Sequence, residues 1–139
     1  MGRVTVEAQL ESIEDLYRVR RGDLSANQVR RITVPEALID TGATSLSLPR
    51  TMIDALGLMQ IRSRRVVTTT GITDVNIFGA VQLTIDGRDC LVDAMEIPEE
   101  CPVLIGQVPL ELMDFIVDPN RRRLIGNPAH GGEHMLELL

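Results

Sequence analysis

Lysine and tryptophan are absent from this chain, and aromatic residues nearly so: Tyr17, Phe78 and Phe115 are the whole set. A surface that stacks single-stranded bases on aromatic rings has almost nothing to stack with. The core must instead be built from Val, Ile, Leu, Met and Ala. No run approaches the roughly 18 apolar residues of a membrane-spanning helix. Residues 1–10 alternate polar and apolar and lack the apolar centre of a signal peptide. The two cysteines, Cys90 and Cys101, are too few for a disulfide framework and are read as reduced thiols. These absences lead to the expectation of a cytoplasmic protein with no membrane association. Positive charge is also scarce: 14 basic residues, all of them Arg, face 20 acidic ones, for a net charge of −6. That balance repels a phosphate backbone, so no nucleic-acid partner is expected. The short Arg clusters, such as Arg62, Arg64 and Arg65, are read as solvated strand edges and turns.

What is present is a chain of 139 residues, 44% hydrophobic and 24% charged, which fits one domain with a real core. Residues 1–128 are taken as that domain and 129–139 as a C-terminal tail. The dominant period is two. Val4, Val6, Ala8 and Leu10 alternate with polar neighbours and predict a half-buried strand. Leu16–Arg20 alternates less cleanly and reads as a second strand. Arg31–Val34 and Ala37–Asp40 read as strand pieces interrupted by Pro35, which belongs at a strand start, a bulge or an edge. Pro49 opens a helix of two or three turns, with Met52, Ile53 and Leu56 at helical spacing and Gly57 near its end. Arg64–Thr70 and Val75–Ile85 predict a hairpin with its tip near Thr70 and Gly71, and Asp86-Gly87 a second hairpin turn into Cys90–Met95. Val103-Leu104-Ile105-Gly106 fits a short buried strand. A helical turn follows from Pro109, and a closing hairpin forms around Asp118-Pro119-Asn120.

Of the ten Asp residues, Asp40 stands apart. It ends an apolar run, Ala37-Leu38-Ile39, and Thr41 and Gly42 follow it at once. Gly42 frees the backbone to turn and approach a carboxylate closely, and backbone N–H groups beyond it can hold the carboxylate oxygens. A carboxylate delivered by a buried strand and supported by backbone donors is suited to general acid–base work. Asp114 and Asp118 read as turn or capping residues. His130 and His134 have a metal-like spacing, but two glycines between them oppose a helix and no third ligand follows, so neither a metal nor any other cofactor is expected. A thiol nucleophile would need a histidine near Cys90 or Cys101, and both histidines lie in the tail.

The run Asp40-Thr41-Gly42-Ala43-Thr44, with Leu46, Leu48 and Pro49 behind it, resembles the signature of the retropepsin-type aspartic proteases, most closely their bacterial and cellular relatives. Val103-Leu104-Ile105-Gly106 resembles that family's second marker, and Leu110–Pro119 its C-terminal stretch. The resemblance implies an all-β fold, a closed retropepsin-like barrel with one or two short helices, acting as a two-fold homodimer. It implies Asp40 as the catalytic residue, Thr41 and Gly42 in support, and substrate backbone bound by Ala43 and Thr44. It also implies a flap at about residues 67–76 that places Thr70, Gly71 and Ile72 over an extended peptide or protein substrate. The signature occurs once, so a two-carboxylate dyad requires Asp40 from each of two copies. The competing expectation is a non-catalytic dimer of the same fold that binds peptides or scaffolds an assembly.

Overall fold

The computed structural model describes residues 3–138. Met1 and Gly2, at the head of the alternating first stretch, and Leu139, at the end of the tail, lie outside the described residues. Nine strands and three short helices follow in order: β1 (Thr5–Ser12), α1 (Ile13–Arg20), β2 (Arg31–Ile39), β3 (Leu46–Pro49), α2 (Arg50–Ala55), β4 (Met59–Thr68), β5 (Gly71–Ile85), β6 (Arg88–Ile97), β7 (Leu104–Ile105), α3 (Gln107–Leu112), β8 (Phe115–Asp118) and β9 (Arg123–Gly126). The all-β class that the resemblance implies is the class observed, with three helices where one or two were expected.

Seven strands pair in the order β1-β2-β7-β3-β6-β5-β4, and β1 also pairs with β5. That extra pairing closes six of them into a barrel and leaves β4 as an appendage on β5. Closure removes the free edges that an open sheet would expose. The long strand β5 pairs with β6 along one edge and serves two neighbours in turn along the other. Residues 71–79 pair with β4, while residues 81–84 pair with Ser12 back to Gln9 on β1. The β4/β5 hairpin therefore projects out of the barrel while its root is embedded in it.

The core is aliphatic, as the scarcity of aromatics dictates. Leu10, Leu46, Leu48, Ile53, Leu56, Leu83, Ile85, Ile105, Leu110 and Met113 are all fully buried. Burying such side chains contributes about 1.5–3 kcal/mol each. The two Phe residues are buried in the same core, with the Arg50 guanidinium 5.2 Å from the ring centre of Phe78 and Arg88 4.7 Å from that of Phe115.

Two local expectations change. Leu16–Arg20 is not a strand; it is the body of α1. Ser12 caps the helix, its hydroxyl accepting from the Asp15 N–H at 3.3 Å. Glu14 and Asp15 occupy the first turn and Arg18 and Arg20 the last, which suits the helix dipole. Pro35, in turn, does not interrupt a strand. β2 is continuous, and its register against β1 slips by one residue between Val6↔Ala37 and Ala8↔Val34. Pro35 and Glu36 occupy this bulge, where a missing N–H costs no ladder bond. The helix after Pro49 is shorter than expected, six residues, and the chain leaves it through Gly57 at φ +65°.

Asp15 fastens α1 to the barrel. It is 2% exposed, and its carboxylate accepts from the Arg30 backbone N–H at 2.8 Å, from Nε at 2.8 Å and from Nη2 at 2.9 Å. The Arg30 guanidinium occupies the space a Cβ would fill at Gly57. The hydrogen bonds from Arg30 hold the Asp15 carboxyl below its ordinary value of 3.8, against the opposing effect of burial. A depressed carboxylate stabilises the fold above its unfolded value and loses that contribution as pH falls through the folded one. Asp15→Ala is expected to cost about 2–3 kcal/mol at neutral pH in urea denaturation. The figure is kept low because Arg30 is 42% exposed and can rehydrate. In the variant, the gap from the parent should shrink as pH drops below about 3.8.

Candidate active site

The end of β2 delivers Asp40 beside β7. Leu38 and Ile39 pair in parallel with Leu104 and Ile105, and the Asp40 N–H donates to the Ile105 carbonyl at 2.9 Å. The chain then turns, with the Ala43 N–H donating to the Asp40 carbonyl at 3.0 Å and the Gly42 N–H to the carboxylate Oδ1 at 3.0 Å. Gly42 is not in the left-handed region. Its requirement is for space: a Cβ there would lie 3.3 Å from Asp40 Oδ1. Asp40 and Ala43 are half-buried, while Thr41, Gly42 and Thr44 are exposed.

The apolar-Gly marker is the other half of this arrangement. At the start of α3 three consecutive N–H groups turn back on the loop. Gly106 donates to the Ser45 carbonyl, Gln107 to that of Ala43 and Val108 to that of Thr44, each at 2.9 Å. A Cβ at position 106 would meet Ala43 O at 2.6 Å, Thr44 C at 2.6 Å and Ser45 N at 2.7 Å. Only glycine lets the two backbones approach this closely. Ser45 adds a tie on the far side, its hydroxyl donating to the Asp93 carbonyl at 3.1 Å.

A groove of about 530 Å³ opens beside Asp40 and Thr41. Leu38, Ile39, Val4 and Arg3 line one side, and Val117 and Pro119 of the β8/β9 hairpin the other. That hairpin is held by side chains that sequence reading passed over. Arg88 Nη1 donates to the carbonyls of Met113 at 3.0 Å and Asp114 at 2.9 Å, and Nη2 donates to that of Gly132. Asp114, read from sequence as a turn residue, does occupy a turn, at φ +58°, but it is also buried and gathers the tail. Its carboxylate accepts from His130 Nδ1 at 2.6 Å, from Asn127 Nδ2 at 3.2 Å and from the Met135 N–H at 3.1 Å. His130 Nε2 reaches Glu137 at 3.0 Å, and His134 Nε2 donates to the Leu112 carbonyl at 3.0 Å. The two histidines thus have separate partners, and among the described residues no cluster of three metal-ligating side chains occurs.

The hydrogen bond to Asp114, then that to Glu137, raises the His130 pKa above 6.5; the same His130 bond leads in holding Asp114 below 3.8. A raised histidine stabilises fully below its unfolded value and loses its contribution as pH climbs through the folded one. A lowered carboxylate loses its own as pH falls. Tail docking should therefore be firmest in the window between. Limited proteolysis of residues 127–138 is expected to quicken as pH rises above about 6.5 in the parent, with a much flatter dependence in His130→Gln.

The structure brings Asp40, Thr41, Gly42, Ala43 and Thr44 together as one loop. It does not bring Thr70, Gly71 and Ile72 to that loop. The turn of the β4/β5 hairpin is Thr69-Thr70, with Thr68 paired to Gly71. Thr70 is engaged within the turn, its N–H donating to Thr68 Oγ1 at 3.3 Å, and all three residues are exposed. No hydrogen bond among the described residues links the tip to Asp40 or Thr44. The hairpin stem faces the loop instead: Thr44 and Ser45 share a pocket of about 340 Å³ with Arg62, Arg64 and Val66. Cys90 and Cys101 are free, and burial pushes the Cys90 thiol up to about 11, which disfavours thiolate chemistry there.

No protein-family model matches the chain, and no curated protein does. Among solved structures, it is similar to the simian foamy virus (mac) protease. The identity is 15% and the TM-score 0.48, over 76% of this chain and 90% of that one. No helix among the described residues is long and apolar enough to cross a membrane.

Proposed function

We propose that this chain is an aspartic endopeptidase of the retropepsin-like kind, active as a two-fold homodimer. The reading rests on one observation above all: the Asp40 carboxylate, held at Oδ1 by the Gly42 N–H at 3.0 Å, at the mouth of an open groove. An acid placed this way has one oxygen oriented by the backbone and the other free for water or a partner. One such loop exists per chain, so the second carboxylate comes from a second copy. Two carboxylates at close range cannot both ionise, so they share one proton. The ionised oxygen takes a proton from the attacking water. The protonated one donates to the developing oxyanion, and a proton then passes to the leaving amine. No cofactor is required.

In this reading Thr41 and Gly42 stabilise the loop at the two-fold axis, and Ala43 and Thr44 offer backbone groups to an extended substrate. The hairpin carrying Thr70, Gly71 and Ile72 serves as a flap, closing over the peptide from the solvent-exposed position described above. Residues 1–128 make up the working domain, and the tail from Ala129 braces the groove wall through Asp114. The test is to measure peptide cleavage and sedimentation mass side by side for the parent and for Asp40→Asn. A strictly monomeric parent, or an Asn variant that cleaves at the parent rate, would sink the assignment.

A further inference from the structure

The Arg62, Arg64 and Arg65 cluster has no part in the catalytic reading, yet it stands on the hairpin stem opposite the site loop. Resting on the reading of residues 40–45 as a peptide-cleaving site, we propose that the pocket between loop and stem binds a carboxylate side chain of the substrate. Arg64 is the residue that selects it.

The pocket, of about 340 Å³, has Thr44 on the loop side and Ile77 and Met95 as apolar walls, with Arg62, Arg64 and Asp93 around it. Alternation along β4 turns Arg62 and Arg64 to one face of the hairpin. Their charges are not equally free. Arg62 lies 3.7 Å from Asp93, and Arg65 lies 3.9 Å from Asp74. Arg64 stands across from Val75 in the ladder and has no hydrogen-bond or ion-pair partner among the described residues. Of the three arginines that line this pocket, Arg62 and Arg65 are thus committed to Asp93 and Asp74, which leaves the Arg64 guanidinium for a ligand.

An unengaged guanidinium has a fork geometry that matches a carboxylate in two parallel hydrogen bonds. Ile77 and Met95 give the methylene groups of a glutamate an apolar surface to lie on. Thr44 ties the location to the reaction, since Asp40 and Thr44 belong to one loop and a substrate strand docked along it passes both. In a two-fold dimer the pocket occurs twice, once on each side of the scissile bond. The resulting substrate class is an extended peptide with an acidic residue flanking the bond cut.

The test uses the full-length parent, Arg64→Gln and Arg64→Glu on peptides that differ only in carrying Glu, Gln or Lys at each position around the cleaved bond. At low salt the parent should cut the best-placed Glu peptide about tenfold faster in kcat/KM than its Gln counterpart, with the ratio shrinking as salt rises. Arg64→Gln should bring that ratio to near one, and Arg64→Glu should invert it in favour of Lys. Matching circular dichroism spectra and sedimentation masses of the three proteins control for folding. Cleavage by the parent with no Glu preference, or a preference that survives both substitutions, overturns the pocket assignment alone. Failure of the parent to cut any peptide overturns the protease reading, and the pocket with it.

Discussion

Asp40→Asn is expected to leave a folded dimer that no longer hydrolyses peptides. The amide is nearly isosteric with the carboxylate, and its oxygen can still accept from the Gly42 N–H now 3.0 Å from Oδ1. The half-buried position of Asp40 adds no charged partner that the substitution would orphan. What is lost is chemical. An amide pair cannot share a proton, cannot deprotonate water and cannot protonate a leaving amine. Since one substitution changes both members of the dyad, kcat should fall by at least about 10³-fold. Mixing parent and variant chains makes the expectation sharper. If the site is shared, a mixed dimer is as inactive as the variant dimer, so excess variant suppresses parent activity in a dose-dependent way. Activity that falls only in proportion to dilution would show that each chain works alone.

Gly106→Ala is expected to damage the same site from a distance in sequence. A methyl at 106 lands 2.6 Å from Ala43 O and Thr44 C, and these neighbours are backbone atoms that cannot rotate aside. Either the start of α3 or the 43–45 loop must shift, breaking some of the three 2.9 Å bonds between them. The expected loss is about 3 kcal/mol in denaturant unfolding, the upper part of the range for overpacking. A loss of activity should accompany it even where the fold survives. Gly87→Ala provides a contrast. Nothing stands within 4 Å of its Cβ, and its φ of +77° is the sole obstacle. The cost there should be about 1 kcal/mol, without an effect on cleavage.

The strands were legible because their signals are local, whereas the closed barrel was only implied by the resemblance. Alternation in Val4–Leu10 and the dipeptide Asp86-Gly87 each act over a few residues. Asp86 at φ +47° and Gly87 at φ +77° adopt the turn their chemistry favours. α1 was not legible from periodicity because eight residues give little more than two turns. Its signal lies instead in the Ser12 cap and the order of charges along it. Asp114 was read as a turn residue, which it is; its hold on the tail was not legible because its partners Asn127, His130 and Met135 are far along the chain, and no spacing rule connects them. The site was half legible. The Asp40–Thr44 run and the Val103–Gly106 marker could both be seen, but the reason they go together is a steric fit between two backbones. Nor does any spacing rule announce that Thr44 and Ser45 share a pocket with Arg62, Arg64 and Val66 of the hairpin stem.

The clamp of Gly106, Gln107 and Val108 on the loop also governs when the site comes into being. Asp40 leaves the ribosome long before the residues that shape its loop. Until Val108 follows, the carbonyls of Ala43, Thr44 and Ser45 have no donors, and β2 has no β7 against which to place its last residues. Contacts this distant in sequence form late in folding. A chain still being synthesised therefore carries Asp40 without the loop geometry around it until nearly all of the barrel has been made.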